Sequence, residues 1–168
     1  MEAFDTPDDL VDAINKAKAH VFNRAIFWPR LWQEFDPPTG INWKWKSVPF
    51  VESAAAKIPN DKHGIYSFVL CPKIAKHPKN HFVLYVGKAD KMTLRQRFKS
   101  YFQEMKKIKR PAICYHLNQY EGYLEFCFTP VTNQQDIEPG EDALLLALLP
   151  PCNSDFPAEV SQVIKGIR

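Results

Sequence analysis

Gly64-Ile65-Tyr66-Ser67-Phe68-Val69-Leu70 and His81-Phe82-Val83-Leu84-Tyr85-Val86 are the two stretches whose reading decides the fold. Both are rich in β-branched and aromatic residues, which suit a pleated and half-buried surface, so each reads as a strand. The segment between them, residues 71–80, is polar and basic and is broken by Pro72 and Pro78. It reads as a loop, and the simplest connection of the two strands is an antiparallel hairpin.

Downstream of the hairpin the period changes. From Thr93 to about Lys107, Leu94, Phe98, Tyr101, Phe102 and Met105 fall on one side of an amphipathic helix. Tyr123 to Val131 partly alternates and reads as a third strand. Glu138 to Leu149 reads as a second helix, stopped by Pro150 and Pro151. The expected order is β-β-α-β-α, an α/β (α+β) domain with a small three-stranded, mainly antiparallel sheet flanked by helices.

Upstream, Thr6 is a good N-cap, Pro7 suits the first helical turn, and Asp8 and Asp9 favour its positive end. Leu10, Val11, Ile14, Ala17, Val21, Phe22, Ala25 and Ile26 recur at helical spacing until Pro29 intervenes. Residues 36–47 read as a turn followed by a short edge strand or loop, and Glu52 to Lys57 as a short helix. The chain therefore divides into a helical extension over 1–57 and a domain over 58–168.

A chain of 168 residues with 45% hydrophobic content can bury a core, which excludes global disorder. The net charge of +3 is mild, but the run from Lys88 to Arg110 is strongly basic, with only Asp90 and Glu104 against it. Such a local excess suits a polyanion. Cys71, Cys114, Cys127 and Cys152 form no CxxC pair, and the acidic N-terminus is unlike a secretory signal, so reduced thiols in a cytoplasmic protein are expected. The apolar run at 143–149 is far shorter than the ~20 residues that span a bilayer, so no membrane partner is expected.

Several residues in this frame form an ordered series: Gly64-Ile65-Tyr66, Tyr85-Val86-Gly87-Lys88, Leu94 to Arg97 with Tyr101, then Glu141 and Asn153. The series resembles the GIY-YIG nuclease family, with the second motif written YVG. Locally, Tyr85 to Ala89 and Leu94 to Phe102 are similar to the UvrC N-terminal nuclease domain. Relative to the family, residues 71–80 read as an insertion, and the step from Gly87 to Leu94 is longer.

The resemblance implies an endonuclease that hydrolyses phosphodiester bonds. Glu141 would be the metal ligand; a single carboxylate suits Mg²⁺ (or Mn²⁺), which keeps several waters and takes phosphate oxygens. Glu138 and Asp142 are its neighbouring competitors. Arg97 would clamp the phosphate with its planar fork of donors, and Arg95, two residues away, should face a different side of the helix. Tyr66 and Tyr85, facing each other across the hairpin, would orient or deprotonate the water, with Lys88 and the metal lowering a phenol pKa that is otherwise about 10. Tyr101, one turn after Arg97, would lie near the phosphate, Gly64 and Gly87 would support the strands, and Asn153 would anchor the last loop through its amide. Arg97→Ala and Glu141→Ala are expected to abolish cutting with the fold intact.

The partner implied is nucleic acid, DNA ahead of RNA, with specificity supplied by the extension, the 71–80 loop, a homodimer or a protein partner. Two alternatives are a catalytically silent nucleic-acid-binding module and a protein-interaction module using Trp28, Trp32, Trp43 and Trp45. The alternation of Trp43 and Trp45 with Lys44 and Lys46 fits either a base-stacking surface or a strand with one packed face. A structural zinc held by His63, Cys71, His77 and His81 is a further metal reading.

Overall fold

The computed structural model describes residues 26–72, 74, 80–107, 110–158 and 160–162. Of the helix expected from Thr6 to Pro29, residues 6–25 lie outside the described residues; Ile26, Phe27 and Trp28 are not helical, and Pro29 opens a short helix where it was expected to stop one. The elements, in chain order, are α1 (Pro29–Gln33), β1 (Lys46–Pro49), a 3₁₀ helix (Glu52–Lys57), β2 (Gly64–Leu70), β3 (Phe82–Ala89), α2 (Leu94–Lys107), α3 (Pro111–Gln119), β4 (Leu124–Pro130), a 3₁₀ turn (Gln134–Asp136) and α4 (Ile137–Leu148).

The sheet has four strands in the order β1-β4-β2-β3, all antiparallel, and not three. The additional strand is β1, which pairs with β4 from Lys46 opposite Phe128 to Pro49 opposite Glu125. It supplies Val48 to the core, and the following Phe50, Ala54 and Ala55 are also core residues. The domain's structure thus begins upstream of residue 58. Strand β1 overlaps the edge strand or loop expected over 36–47, whereas helix α3 is absent from the expected order.

Side-chain alternation on the strands sorts the core into two layers. On one face, Tyr66, Phe68, Phe126 and Phe128 meet Leu94, Phe98 and Tyr101 of α2 and Ile113, Cys114 and Leu117 of α3. On the other, Ile65 and Val86 meet Ile137, Leu144 and Leu145 of α4, with Ile41 and Val131 closing the layer. An irregularity between Phe68 and Val69 places Tyr85 opposite Phe68 and Val83 opposite Val69. It leaves Leu84 facing the aromatic layer.

Helix α4 sits close to the sheet because residue 140 is glycine. A Cβ there would come within 2.5 Å of Ile41 Cδ1 and 2.7 Å of Ile65 Cδ1. The helix ends at Leu149, a buried residue in the left-handed region (φ 45°) whose N–H bonds Leu145 O at 3.0 Å. The chain then turns back through Pro150 and Pro151. Cys152 N donates to Leu84 O at 2.9 Å, so the returning segment covers the outer edge of β3.

Candidate active site

The predicted site residues gather at the β3 end of the sheet in two groups, one on each face. The first group is buried. Tyr66 and Tyr101 are 1% and 0% exposed, and their hydroxyls are 2.8 Å apart. Arg97 completes the group: Nε donates to Tyr66 Oη at 2.9 Å and Nη2 to Tyr101 Oη at 3.3 Å. Its guanidinium carbon lies 4.5 Å from the Tyr101 ring centre. Gly87 stands opposite Tyr66, and a Cβ there would fall 2.5 Å from Tyr66 Oη and 2.7 Å from Tyr85 Cε1. The glycine of the second motif therefore makes room for both tyrosines.

Tyr66 and Tyr85 are not directly opposed. Their strands pair Tyr66 with Gly87 and Phe68 with Tyr85, so the two rings meet on the diagonal at 6.3 Å. Burial pushes the Tyr66 hydroxyl well above the ordinary phenol value; Tyr101 and Tyr85 add to this, and Arg97 offsets only part of it. Burial likewise raises Tyr101, helped by Tyr85. Lys88 and the metal were expected to lower one of the two phenols; at Tyr66 the protein surroundings act in the opposite direction.

Sequence reasoning missed two residues that complete the buried group. Glu104 accepts from Arg97 Nη1 at 2.8 Å through Oε1, and from Arg110 Nε at 2.8 Å through Oε2. Arg110 also donates from Nη1 to Tyr85 Oη at 3.3 Å, and its guanidinium lies 4.8 Å from the Tyr101 ring centre. Burial works against the Glu104 charge, but the Arg110 hydrogen bond and the Arg97 charge prevail and hold its pKa below the ordinary value. The spacing of Arg97 and Glu104, two helical turns apart, signals a shared face. No local pattern links Arg110 to them, because it precedes a different helix.

The second group is open. Tyr85, Lys88, Glu141, Asn153 and Asp155 line a cleft of about 390 Å³. Lys88 Nζ lies 2.7 Å from Glu138 Oε1 and 3.1 Å from Glu141 Oε2. Burial opposes the lysine's charge, yet these bonds raise its pKa above the ordinary value. Of the two acids Glu141 is the enclosed one, with its side chain 13% exposed against 73% for Glu138. Burial raises the Glu141 pKa, and Lys88 only partly counters it. Tyr85, half-buried, is the residue common to both groups.

Asn153 takes the anchoring place expected of it. Its Oδ1 accepts from Val86 N at 3.0 Å and its Nδ2 donates to Val86 O at 2.8 Å, continuing the sheet ladder with a side chain. Gly64 opens β2 opposite both Ala89 and Pro130. Arg95 turns away from the site and donates to Ile58 O at 2.6 Å and Ala56 O at 3.2 Å, tying α2 to the 3₁₀ helix. Its guanidinium is engaged by those carbonyls and not by the cleft. Of the basic run, Lys91, Lys99 and Lys106 remain exposed.

The donor chemistry of the cleft fits a hard divalent ion. Glu141 offers an enclosed carboxylate beside Asp142 and Asp155, oxygen donors only, as Mg²⁺ or Mn²⁺ prefers. Among the described residues no group of three or more His, Cys, Asp or Glu could hold a metal by itself, so most ligands would be waters and phosphate oxygens. The zinc reading depends on His77, which lies outside the described residues; His63 Nδ1 is 3.2 Å from Ala89 O. All four cysteines are free, and burial raises Cys71 and pushes Cys127 up to about 12, which keeps both as thiols near neutral pH.

Trp43 and Trp45 stack at 6.1 Å with 24° between their planes. Trp43 is partly buried against the α4 layer, while Trp45 is 40% exposed. Among the described residues no helix is long and apolar enough to cross a membrane. Comparison with protein-family models, with curated proteins and with solved structures finds no match.

Proposed function

We propose that the chain is a metal-dependent endonuclease that hydrolyses phosphodiester bonds, with DNA as its first substrate class and the open cleft as its reacting centre. One observation carries the reading: Tyr85, Lys88 and Glu141, which the family resemblance singles out from distant parts of the chain, line a single cleft at a sheet edge. Glu141 would hold the divalent ion, Mg²⁺ or Mn²⁺. When bound, such an ion neutralises phosphate charge and makes a coordinated water more acidic.

The protein's own residues supply the rest. Tyr85 has its ring in the cleft and its hydroxyl within reach of Arg110, so it orients the attacking water in preference to the enclosed Tyr66. Lys88, 26% exposed, offers its ammonium to a phosphate oxygen in the cleft. Tyr66 and Tyr101 hold Arg97 in place, and Asn153 keeps the cleft wall against β3. Exposed Lys91, Lys99 and Lys106 favour the approach of a phosphate backbone.

Lys88 already pairs with Glu141, and Glu104 already pairs with Arg97. These satisfied pairs favour one second reading, a catalytically silent nucleic-acid-binding module. Supercoiled plasmid incubated with wild type and Mg²⁺, beside Glu141→Ala and an EDTA control, separates the two. Nicking by wild type alone is the expected result. Salt-sensitive binding without nicking, on duplex, branched, single-stranded and RNA substrates alike, would support the silent module.

A further inference from the structure

We propose that Arg97 and Arg110 together form an anion site and that Glu104 occupies it from within the chain, its carboxylate standing where a phosphate group of a nucleic-acid strand binds. This rests on the reading of Arg97 as a phosphate contact and extends it with a second arginine and an internal competitor.

The geometry is that of a bridged anion. Each Glu104 oxygen serves a different guanidinium, Oε1 that of Arg97 at 2.8 Å and Oε2 that of Arg110 at 2.8 Å. Phosphate is bound by arginine forks in the same manner. Arg97's other acceptors, Tyr66, Tyr101 and Ser100, are neutral hydroxyls. They fix its guanidinium without cancelling its charge, so Glu104 is the exchangeable partner. Two arginines against one carboxylate leave an excess positive charge where Arg97 and Glu104 are only 16% and 15% exposed. A charge that enclosed is costly unless a second anion shares it.

Access comes from Arg110, whose side chain is 35% exposed. The same residue donates to Tyr85 Oη, and Tyr85 lines the cleft with Glu141. A strand with one phosphate on Arg110 and Arg97 would pass Tyr85 into that cleft. Displacing Glu104 lowers the affinity of every nucleic acid equally, so the device sets a threshold on binding and carries no sequence preference.

The test uses the full chain in EDTA, where cutting is absent and binding alone is read. Wild type, Glu104→Gln and Glu104→Gln/Arg110→Gln are titrated with a fluorescein-labelled single-stranded oligonucleotide. Their Tm values are also measured in inorganic phosphate and in chloride at matched ionic strength. Glu104→Gln should have a lower Tm in chloride and recover more of it in phosphate than wild type gains. It should bind the oligonucleotide about tenfold tighter, the scale of one charge-assisted hydrogen bond released for the ligand. Adding Arg110→Gln should remove the phosphate-specific recovery and the tighter binding.

A lower Tm with no phosphate-specific recovery and unchanged affinity would make Glu104 a structural ion-pair partner and overturn the proposal. If Glu104→Gln fails to fold, Arg110→Gln alone decides: weaker oligonucleotide binding supports the site, and unchanged binding overturns it. A chain that binds as expected but cuts nothing with Mg²⁺ would contradict the endonuclease reading and leave this one standing.

Discussion

Glu104 on α2 and Glu141 on α4 lie on opposite faces of one sheet and are almost equally enclosed, with side chains 15% and 13% exposed. Their pKa values nevertheless move in opposite directions, Glu104 down and Glu141 up. Burial penalises both charges, so the difference lies in the cations. Glu104 faces two arginines, whereas Glu141 shares one lysine with Glu138. On the Glu104 side the carboxylate meets a cation at each of its oxygens. The Glu141 side is a carboxylate short of positive charge in an open cleft, the condition that favours binding a cation.

The sharpest break in this comparison should come from Arg97→Ala. It leaves the enclosed Tyr66, Tyr101 and Glu104 without their shared donor and should cost on the order of 3 kcal/mol in chemical denaturation. The expectation from sequence that this variant keeps its fold intact is revised accordingly. Loss of activity in Arg97→Ala is therefore informative only beside a stability measurement. Next is Asn153→Ala, which strips both Val86 backbone groups of partners. It should cost about 2 kcal/mol and loosen the segment covering β3, seen as faster amide exchange at Val86.

Tyr66→Phe removes one hydroxyl from the buried group and should cost about 1 kcal/mol, with the ring's packing unchanged. Glu141→Gln should change stability by less than ~1 kcal/mol, because relief of desolvation offsets the lost bond to Lys88.

The pH dependence of stability sharpens the contrast. The lowered pKa of Glu104 means that its stabilisation is present above the ordinary carboxylate value of 4.5 and is lost as pH falls through the lowered one. Glu141 has the opposite sign. Its contribution is greatest at acid pH and declines as pH rises from 4.5 through its raised value. Denaturation of Glu104→Gln and Glu141→Gln against wild type across this range should show the first variant losing an acid-side decline and the second losing a decline at higher pH. Parallel curves for both variants would remove the distinction between the two groups.

The central hairpin was legible because Gly64 to Leu70 carries an uninterrupted strand composition, and α2 because Leu94, Phe98, Tyr101, Phe102 and Met105 repeat at helical spacing. Strand β1 was not. Lys46-Ser47-Val48-Pro49 has one apolar core residue, and its extended form depends on pairing with β4, which no local pattern encodes. Helix α3 did leave a signal, since Pro111 stands in its first turn and Ile113, Cys114 and Leu117 share a buried helical face, but the polar residues among them interrupt the pattern. Within the candidate site, the residues were legible through motif order alone. Their division between two faces was not, because the irregularity beside Phe68 sets which residue Tyr85 opposes. Glu104 and Arg110 were invisible as a pair, because only the packing of α2 and the approach to α3 brings them together.

The most direct test of the account is nicking of supercoiled plasmid in Mg²⁺ by Glu141→Gln and Tyr66→Phe, each at a concentration of folded protein matched to wild type. The account predicts that Glu141→Gln folds like wild type and does not cut, while Tyr66→Phe is less stable and still cuts. Cutting by Glu141→Gln at the wild-type rate would contradict it, because the open cleft would then not be the reacting centre.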